Sequence, residues 1–216
     1  MTSARLALDG VGPGSSIALQ LDDASPRQVE DDGRPGSVLH VLIADLLHDH
    51  ELPARRLTQV AVVRGPGSFT GLRVALAAGL GLDAAGQIEL VGIDSLSAIA
   101  WESGLSGRFG TVLDGGFQRC FLALHERSGD DLTTVDSLRD LAPAELPVVL
   151  DELGVSELAW RGPRPDDLTL PSEPTLVDGP LALAALTLAR NPEHHRPPEP
   201  LYGREPHIRP AKGVHE

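Results

Sequence analysis

Lysine is almost missing from this chain of 216 residues, and acidic residues outnumber the basic residues as a whole. Lys212 is the only lysine, and the arginines are scattered rather than clustered. With 31 acidic against 18 basic residues, the formal net charge is −13. A protein that grips RNA by itself needs a basic face to neutralise the phosphates. The composition therefore argues against autonomous nucleic-acid binding.

Cysteine, aromatic residues and long apolar runs are also scarce. The single cysteine, Cys120, cannot form an internal disulfide, fits a reducing compartment and is expected to be a small buried hydrophobe. Aromatic residues make up 3% of the chain, so Leu, Val and Ala must build the core. No N-terminal segment suggests export, and no apolar run has the length of a membrane span. We expect a soluble, cytoplasmic protein without membrane association.

The most distinctive stretch is the sequence Arg-Gly-Pro-Gly-Ser-Phe-Thr-Gly-Leu-Arg at 64–73. It follows an apolar run at 60–63 and leads into a segment rich in Ala, Gly and Leu, which predicts a strand, a tight turn and a helix. It lacks the Gly-Lys-Ser/Thr ending of a Walker A loop, and its glycine spacing differs from the dinucleotide fingerprint. Generic nucleotide-binding motifs are therefore excluded here.

Local chemistry predicts the conformation of this turn. Pro66 is expected to push Gly65 towards an extended conformation, whereas Gly67 allows a positive φ or a close backbone approach. Ser68 or Thr70 can cap the first amides of the helix. Free amides at a helix start can bind an anion or a carboxylate of a partner. A turn between strand and helix that binds no ligand is the alternative.

As a specific string, residues 64–73 closely resemble the signature of the TsaB (YeaZ) family. These proteins accompany the enzyme TsaD in making threonylcarbamoyladenosine beside the tRNA anticodon. The sequence Pro-Leu-Tyr-Gly-Arg at 200–204 also resembles a Pro-x-Tyr-x-Arg element near the C-terminus of that family. The resemblance implies an α/β protein with a two-lobed actin-like ATPase (ASKHA) fold and a reduced second lobe. We expect an N-terminal lobe at 1–103 and a smaller C-terminal lobe with a Pro-rich tail at 104–216.

Two acidic residues, Asp9 and Asp114, end predicted strands at 5–9 and 110–114. Each is followed by a glycine turn and a second apolar strand, which favours β-hairpins over Rossmann-type turns. Such a repeat is expected of a fold made of two related halves. Because the first hairpin of actin-like ATPases is a phosphate loop, Asp9 and Asp114 are weak candidates for nucleotide binding.

Both hairpins depart from the family pattern. The family usually continues its first strand with Asp-Thr-Ser, whereas here Gly10 and Val11 follow the acid and supply no hydroxyl. In the second hairpin, where a turn is predicted at 115–116, Gly116 and Phe117 stand where the family has arginines, and Phe121 replaces a tyrosine. These changes weaken the case for nucleotide binding.

Small residues recur every four positions in the predicted helix at 70–85. Such a row lets another element approach closely. It indicates either packing onto the protein's own sheet or a subunit interface with little charge. The resemblance favours the interface, because TsaB proteins are thought to pair with TsaD or with themselves through this lobe. The expected interface residues are Arg64, Ser68, Phe69, Gly71, Arg73, Ala75 and Gly79.

Ser95 and Ile99 occupy the positions where the relative TsaD carries a His-x-x-x-His metal motif. Isoleucine cannot bind a metal, so the resemblance implies a helper subunit with no metal site and no catalytic residues. The remaining histidines considered are expected on the surface or in a flexible segment: His40, His48, His50, His194 and His195.

These features predict a non-catalytic TsaB-type subunit that binds and organises TsaD for threonylcarbamoyl transfer to tRNA adenosine. A TsaE-type ATPase is a further expected partner, and tRNA would be contacted only through the complex. No intrinsic cofactor is expected, with ATP or ADP at a subunit junction left open. The alternatives are a nucleotide-binding or metallopeptidase-like enzyme of the same fold, and a homodimer with another role.

Patterning elsewhere predicts the remaining elements less sharply. In chain order they are a loop or a third strand at 22–36, a helix at 37–50 with Ser37 as N-cap, a strand at 89–93, short strands at 147–150 and 158–160, and a helix at 179–190.

Overall fold

Two β-sheets of the same strand order form the framework. The computed structural model of the chain describes residues 3–12, 14–31, 38–86 and 88–203. The first sheet contains β1 (Ala4–Asp9), β2 (Ser15–Leu21), β3 (Arg27–Asp31), β4 (Gln59–Gly65) and β5 (Glu89–Asp94). The second contains β6 (Gly107–Gly116), β7 (Arg119–Ser128), β8 (Asp131–Leu141), β9 (Leu158–Arg161) and β10 (Thr175–Leu176).

The first sheet has the order β3-β2-β1-β4-β5, and the second has the matching order β8-β7-β6-β9-β10. In each, three antiparallel strands are followed by two strands that run parallel to the first. The predicted repeat of an acid-ended hairpin is therefore a repeat of the whole sheet topology.

Helices lie outside and between the sheets. The helices are α1 (Leu39–Asp49), α2 (Phe69–Ala84), α3 (Ser95–Glu102), α4 (Leu146–Glu152) and α5 (Ala182–Leu188). The first two pack on the outer face of the first sheet, α4 packs on the outer face of the second, and α3 and α5 lie between the sheets. Among these described helices, none combines the length and the apolar character needed to cross a lipid bilayer.

Strand alternation explains this layering. Leu6 and Leu8 face α1 and α2 on one side of β1, whereas Ala7 faces α5 on the other. Ala18 and Ala61 continue this small inner surface on the neighbouring strands. Because small side chains let backbones approach closely, α5 fits between the sheets. The inner face of the first sheet is thus built of alanines where α5 packs, whereas its outer face carries leucines at the same point of β1.

The core of the second lobe contains Cys120, which is 1% exposed. Burial raises the pKa of its thiol to about 11, so the thiol stays protonated at neutral pH. The prediction of a buried hydrophobe is confirmed.

Several sequence predictions need correction. Residues 147–150 lie in α4 rather than in a strand, because Leu146 and Leu150, four residues apart, are both buried against the second sheet. The second hairpin turns at Phe117 and Gln118, both at positive φ, rather than at 115–116. Of the two alternatives for 22–36, the third strand is present at Arg27–Asp31, and residues 32–36 lie outside the described part of the chain. The proposed N-cap Ser37 lies outside the described residues.

The end of the chain returns to the first lobe, although the first sheet lies in the N-terminal half of the chain and the second in the C-terminal half. The second sheet begins at Gly107, yet α5 packs against β1, β2 and β4 of the first sheet. Residues 191–203, here called the C-terminal strap, also return to the first lobe through an antiparallel pair between Arg196 and Gly92. The second lobe is reduced in its helices, since its sheet has as many strands as the first.

Candidate functional site: the signature turn and the C-terminal strap

The signature turn links β4 to α2 and is built by its glycines. Gly65 has φ of 111°, so the expected extended conformation is wrong. A Cβ at Gly65 would overlap the carbonyl of Leu201. Gly67 lies close against Val11, as the sequence predicted. Ser68 is the N-cap, and its Oγ accepts a hydrogen bond from the amide of Gly71 at 3.3 Å.

The start of α2 rests directly on the first hairpin. A Cβ at Gly71 would overlap the carbonyl oxygen of Gly10. The amide of Ser68 also donates a hydrogen bond to the carbonyl of Val11 at 3.1 Å. Only glycine permits this backbone contact between helix and hairpin.

The positions aligned with the TsaD histidines have structural roles. Ser95 is fully buried, and its Oγ donates a hydrogen bond to the carbonyl of Pro66 at 2.6 Å, which fixes the signature turn. Ile99 is fully buried in the core between the sheets. Among the described residues, no group of three or more His, Cys, Asp or Glu side chains could hold a metal ion.

An ion pair ties the turn to the next strand. Arg64 Nε lies 2.6 Å from Asp94 Oδ1, and Arg196 Nε lies 3.6 Å from Asp94 Oδ2. The Arg64 side chain is 16% exposed. Its guanidinium is thus engaged within the chain.

The C-terminal strap is ordered along the edge of β5. The amide of Gly92 donates to the carbonyl of Arg196 at 2.8 Å, and the reverse bond measures 3.0 Å. The prediction that His194 and His195 lie in a flexible segment is therefore wrong, since both side chains are half-buried. Burial also lowers the pKa of His194. Further along, the amide of Leu201 donates to the carbonyl of Arg64 at 2.7 Å.

The strap brings Tyr202 onto the first turns of α2. Arg73 Nε donates a hydrogen bond to Tyr202 Oη at 2.9 Å. The Arg73 guanidinium carbon lies 3.9 Å from the centroid of the Phe69 ring, which is 4.9 Å from the Tyr202 ring. This aromatic–arginine cluster of Phe69, Arg73 and Tyr202 joins two motifs that are about 130 residues apart in sequence.

The seven predicted interface residues fall into three groups. Gly71, Ala75 and Gly79, here called the small-residue stripe, are buried against their own lobe. The prediction that these three residues line an interface is therefore corrected. Their small size serves close packing onto the hairpin and the sheet. Arg64 and Ser68 support the turn. Phe69 and Arg73 are the exposed members.

Asp9 holds the junction between the lobes. Its carboxylate is 3% exposed and accepts hydrogen bonds from the amide of Val11 at 2.9 Å, Ser16 Oγ at 3.3 Å and the amide of Leu181 at 3.0 Å. The cavity beside it, which Arg161 also lines, has a volume of about 60 Å³. Ligand pockets usually measure about 300–1,000 Å³. Asp9 therefore stabilises the contact between the first hairpin and the start of α5 through its hydrogen bonds.

Asp114 ends the matching segment of the second lobe in a more open setting. Its carboxylate is half-buried and accepts a hydrogen bond from the amide of Gly116 at 3.2 Å. Phe117, at the tip of the hairpin, is 77% exposed. The two acidic residues therefore lie in unlike environments.

His125 is a buried residue that sequence reasoning did not single out. It is 0% exposed, with Nδ1 3.1 Å from Thr111 Oγ1, and its Nε2 has no partner among the described residues. Burial lowers its pKa to about 4, so the ring is neutral near pH 7. Alternation along β7 was the available signal, since it predicts an inward side chain.

Asp94 and Tyr202 were also missed as members of the site. Asp94 is the last residue of β5, which lies beside β4, and the carboxyl ends of parallel strands meet at one edge of a sheet. That rule could have paired Asp94 with Arg64. Nothing local in the sequence indicates that Tyr202 returns to α2.

Two lobes whose sheets share one topology, each opened by an acid-ended hairpin, define the two-lobed actin-like ATPase fold that the sequence predicted. The family described as TsaD, tRNA N6-adenosine threonylcarbamoyltransferase, matches residues 37–158. This is more than half of the chain, and the chain belongs to this family.

Solved structures support the same fold. An uncharacterised protein with similarity to peptidase YeaZ, from Pseudomonas aeruginosa, is 21% identical with a TM-score of 0.76, covering 94% of this chain and 100% of that one. YeaZ from Pseudomonas aeruginosa is 21% identical with a TM-score of 0.73, covering 92% and 100%. No curated protein matches the chain in sequence. The predicted TsaB (YeaZ) resemblance is confirmed in family and fold.

Proposed function

We propose that the chain is a non-catalytic TsaB-type subunit that binds and organises a TsaD-type enzyme. The observation that carries this proposal is the convergence of the signature turn and the C-terminal strap on one exposed surface of α2. Tyr202 contacts both Phe69 and Arg73 there. Exposed apolar side chains that lie together on one surface, such as Phe69 and Leu80 on α2, are typical of protein–protein interaction sites.

The exposed face of α2 suits a protein partner. It consists of Phe69, Thr70, Arg73, Ala77, Leu80, Gly81 and Ala84. Leu80 is 52% exposed and Phe69 is 40% exposed. Arg73 is the only charged residue of this face. Interface centres are depleted in charged residues and enriched in aromatic residues and arginine, so this face has the expected composition.

The buried roles of Ser95 and Ile99 support a helper rather than a catalyst. Both positions are committed to holding the signature turn and the core. Threonylcarbamoyl transfer to tRNA would then be carried out by the TsaD-type partner, and tRNA would be contacted through the complex. A TsaE-type ATPase and ATP or ADP at a subunit junction complete the proposed assembly.

Co-purification with the TsaD-type subunit, followed by a tRNA modification assay with each protein omitted in turn, tests the proposal. We expect a stable complex and activity that needs both proteins. A fully active TsaD-type subunit that never binds this chain would refute it. Calorimetry with ATP and ADP on the isolated chain, and a hydrolysis assay with and without a chelator, would reveal the nucleotide-binding and metallopeptidase-like alternatives. Sedimentation of the chain alone would reveal the homodimer.

A further inference from the structure

We propose that Tyr202 is a positioning residue that holds Arg73 so that the guanidinium binds a carboxylate of the TsaD-type partner. This inference rests on the proposed function and names the chemistry of its central contact. The geometry of the aromatic–arginine cluster carries it.

Arg73 is held in one orientation on an exposed surface. The guanidinium stacks on the Phe69 ring at 3.9 Å and donates through Nε to the Tyr202 hydroxyl at 2.9 Å. A long side chain ordinarily loses rotamer freedom when it binds. Here the chain has already fixed the side chain, so binding would cost less entropy.

The outer edge of Arg73 is unused. Its two terminal nitrogens have no hydrogen-bond partner, and it forms no ion pair, within the described parts of the chain. The guanidiniums of Arg64, Arg119 and Arg139 each pair with an aspartate. The exposed Arg55, Arg56 and Arg108 also form no ion pair among the described residues, but Arg73 differs from them in being held by the Phe69 ring and the Tyr202 hydroxyl.

The environment favours a carboxylate over a nucleic-acid phosphate. A guanidinium edge with two parallel donors matches either group. Binding to a phosphate backbone draws on several cations, however, and Arg73 is the only basic residue of α2. The other exposed residues of this face are uncharged, and apart from Thr70 they carry no polar side chain. One charge within an apolar face is typical of an arginine anchor in a protein interface.

The strap is anchored on both sides of Tyr202, which lets the tyrosine act as a support. Before it, Leu201 donates to the carbonyl of Arg64 at 2.7 Å. After it, Gly203 passes so close to the Phe121 ring that a Cβ there would overlap it. The phenol is therefore fixed by the strap, and the Arg73 side chain on α2 is held by a segment near the end of the described chain.

Calorimetric titration of the full chain with the TsaD-type subunit tests the inference. We expect Arg73→Ala to weaken Kd by roughly tenfold or more, as for an interface hot spot, and to reduce the salt dependence of binding. Arg73→Lys keeps the charge but lacks the two parallel N–H donors of the guanidinium, so we expect its affinity to lie between those of wild type and Arg73→Ala. Tyr202→Phe removes only the hydroxyl, and should weaken Kd by about threefold to tenfold, a loss on the scale of one hydrogen bond, without lowering Tm. Arg108→Ala, an exposed arginine on β6, is the matched control.

A charge swap supplies the second readout. Arg73→Glu should abolish binding, and Asp→Arg or Glu→Arg at one exposed position of the partner should restore it. If the wild-type chain binds and all Arg73 and Tyr202 variants bind equally well, this inference is wrong and the proposed function stands. If the wild-type chain does not bind, the proposed function itself fails. If Arg73→Ala weakens tRNA binding and leaves the protein complex intact, the ligand is a phosphate and the carboxylate assignment is overturned.

Discussion

The two acid-ended hairpins share a topology and differ in almost everything else. In the first, the Asp9 carboxylate is buried and accepts hydrogen bonds from Val11, Ser16 and Leu181, the last being the residue before α5. In the second, the half-buried Asp114 carboxylate accepts a hydrogen bond from the amide of Gly116, within its own turn. The first hairpin lies under α2, whereas the second ends in the exposed Phe117. A duplicated fold has thus kept its framework in both lobes, but the strand-ending carboxylate is buried only in the first.

The outer faces of the two sheets also differ, because longer helices cover the first sheet than the second. The first is covered by α1 and α2, of 11 and 16 residues, whereas the second is covered by α4, of 7 residues. A long helix seated on its sheet by glycines leaves a rigid face towards solvent. The first lobe is therefore the one on which we place the proposed partner surface.

The largest expected effect concerns the contact between α2 and the first hairpin. Gly71→Ala should destabilise the protein by about 3 kcal/mol, because the new methyl group overlaps a backbone carbonyl that cannot move independently. Gly81→Ala in the same helix is the control. It is exposed with no heavy atom near its Cβ position, and should stabilise by up to about 1 kcal/mol. Urea denaturation of both variants measures the difference, and equal effects would contradict the packing described here.

The buried histidine of the second lobe predicts a dependence of stability on pH. The folded-state pKa of His125 is about 4 against 6.5 for the free side chain. Between these values the unfolded chain takes up a proton that the folded chain refuses, so stability falls as pH falls. At 1.36 kcal/mol per unit, the loss from pH 6.5 to 4 is about 3 kcal/mol.

His125→Gln should flatten this part of the stability curve, whereas the exposed His40→Gln should not. Chemical denaturation at a series of pH values measures the slopes. An NMR titration of the wild-type ring gives the pKa directly, even if the variant folds poorly. A ring that titrates near 6.5 would contradict the prediction.

The smallest effect sharpens the comparison of the two acids. Asp9→Asn leaves a buried donor without an acceptor and should cost about 2 kcal/mol. Asp114→Asn keeps the oxygen that accepts from Gly116 and should cost about 0.5 kcal/mol or less. Thermal or urea unfolding of the pair tests this, and equal losses would mean that the lobes use their acids alike.

Local patterns predicted the strands and helices of the first lobe closely, since alternation and capping act over a few residues. The helix expected at 70–85, for instance, is α2 at Phe69–Ala84. Patterns failed where long-range packing decides. Residues 147–150 are helical because α4 packs on the outer face of the second sheet. Strand β8 was not predicted, because it lies at the edge of its sheet, where polar residues are tolerated. The site was predicted in part: Phe69 and Arg73 are exposed, but Tyr202 reaches them only through the path of the strap.

The central claim is that the exposed face of α2, and not its small-residue stripe, binds the partner. The most direct test compares Ala77→Arg, on the exposed face, with Ala75→Arg, which is fully buried. Ala144→Arg, exposed in the second lobe, is the control for added charge. Circular dichroism and titration with the TsaD-type subunit are measured on all three. We predict that Ala75→Arg unfolds, that Ala77→Arg stays folded and loses the partner, and that Ala144→Arg behaves as wild type. A folded Ala77→Arg chain that binds with wild-type affinity would contradict the account.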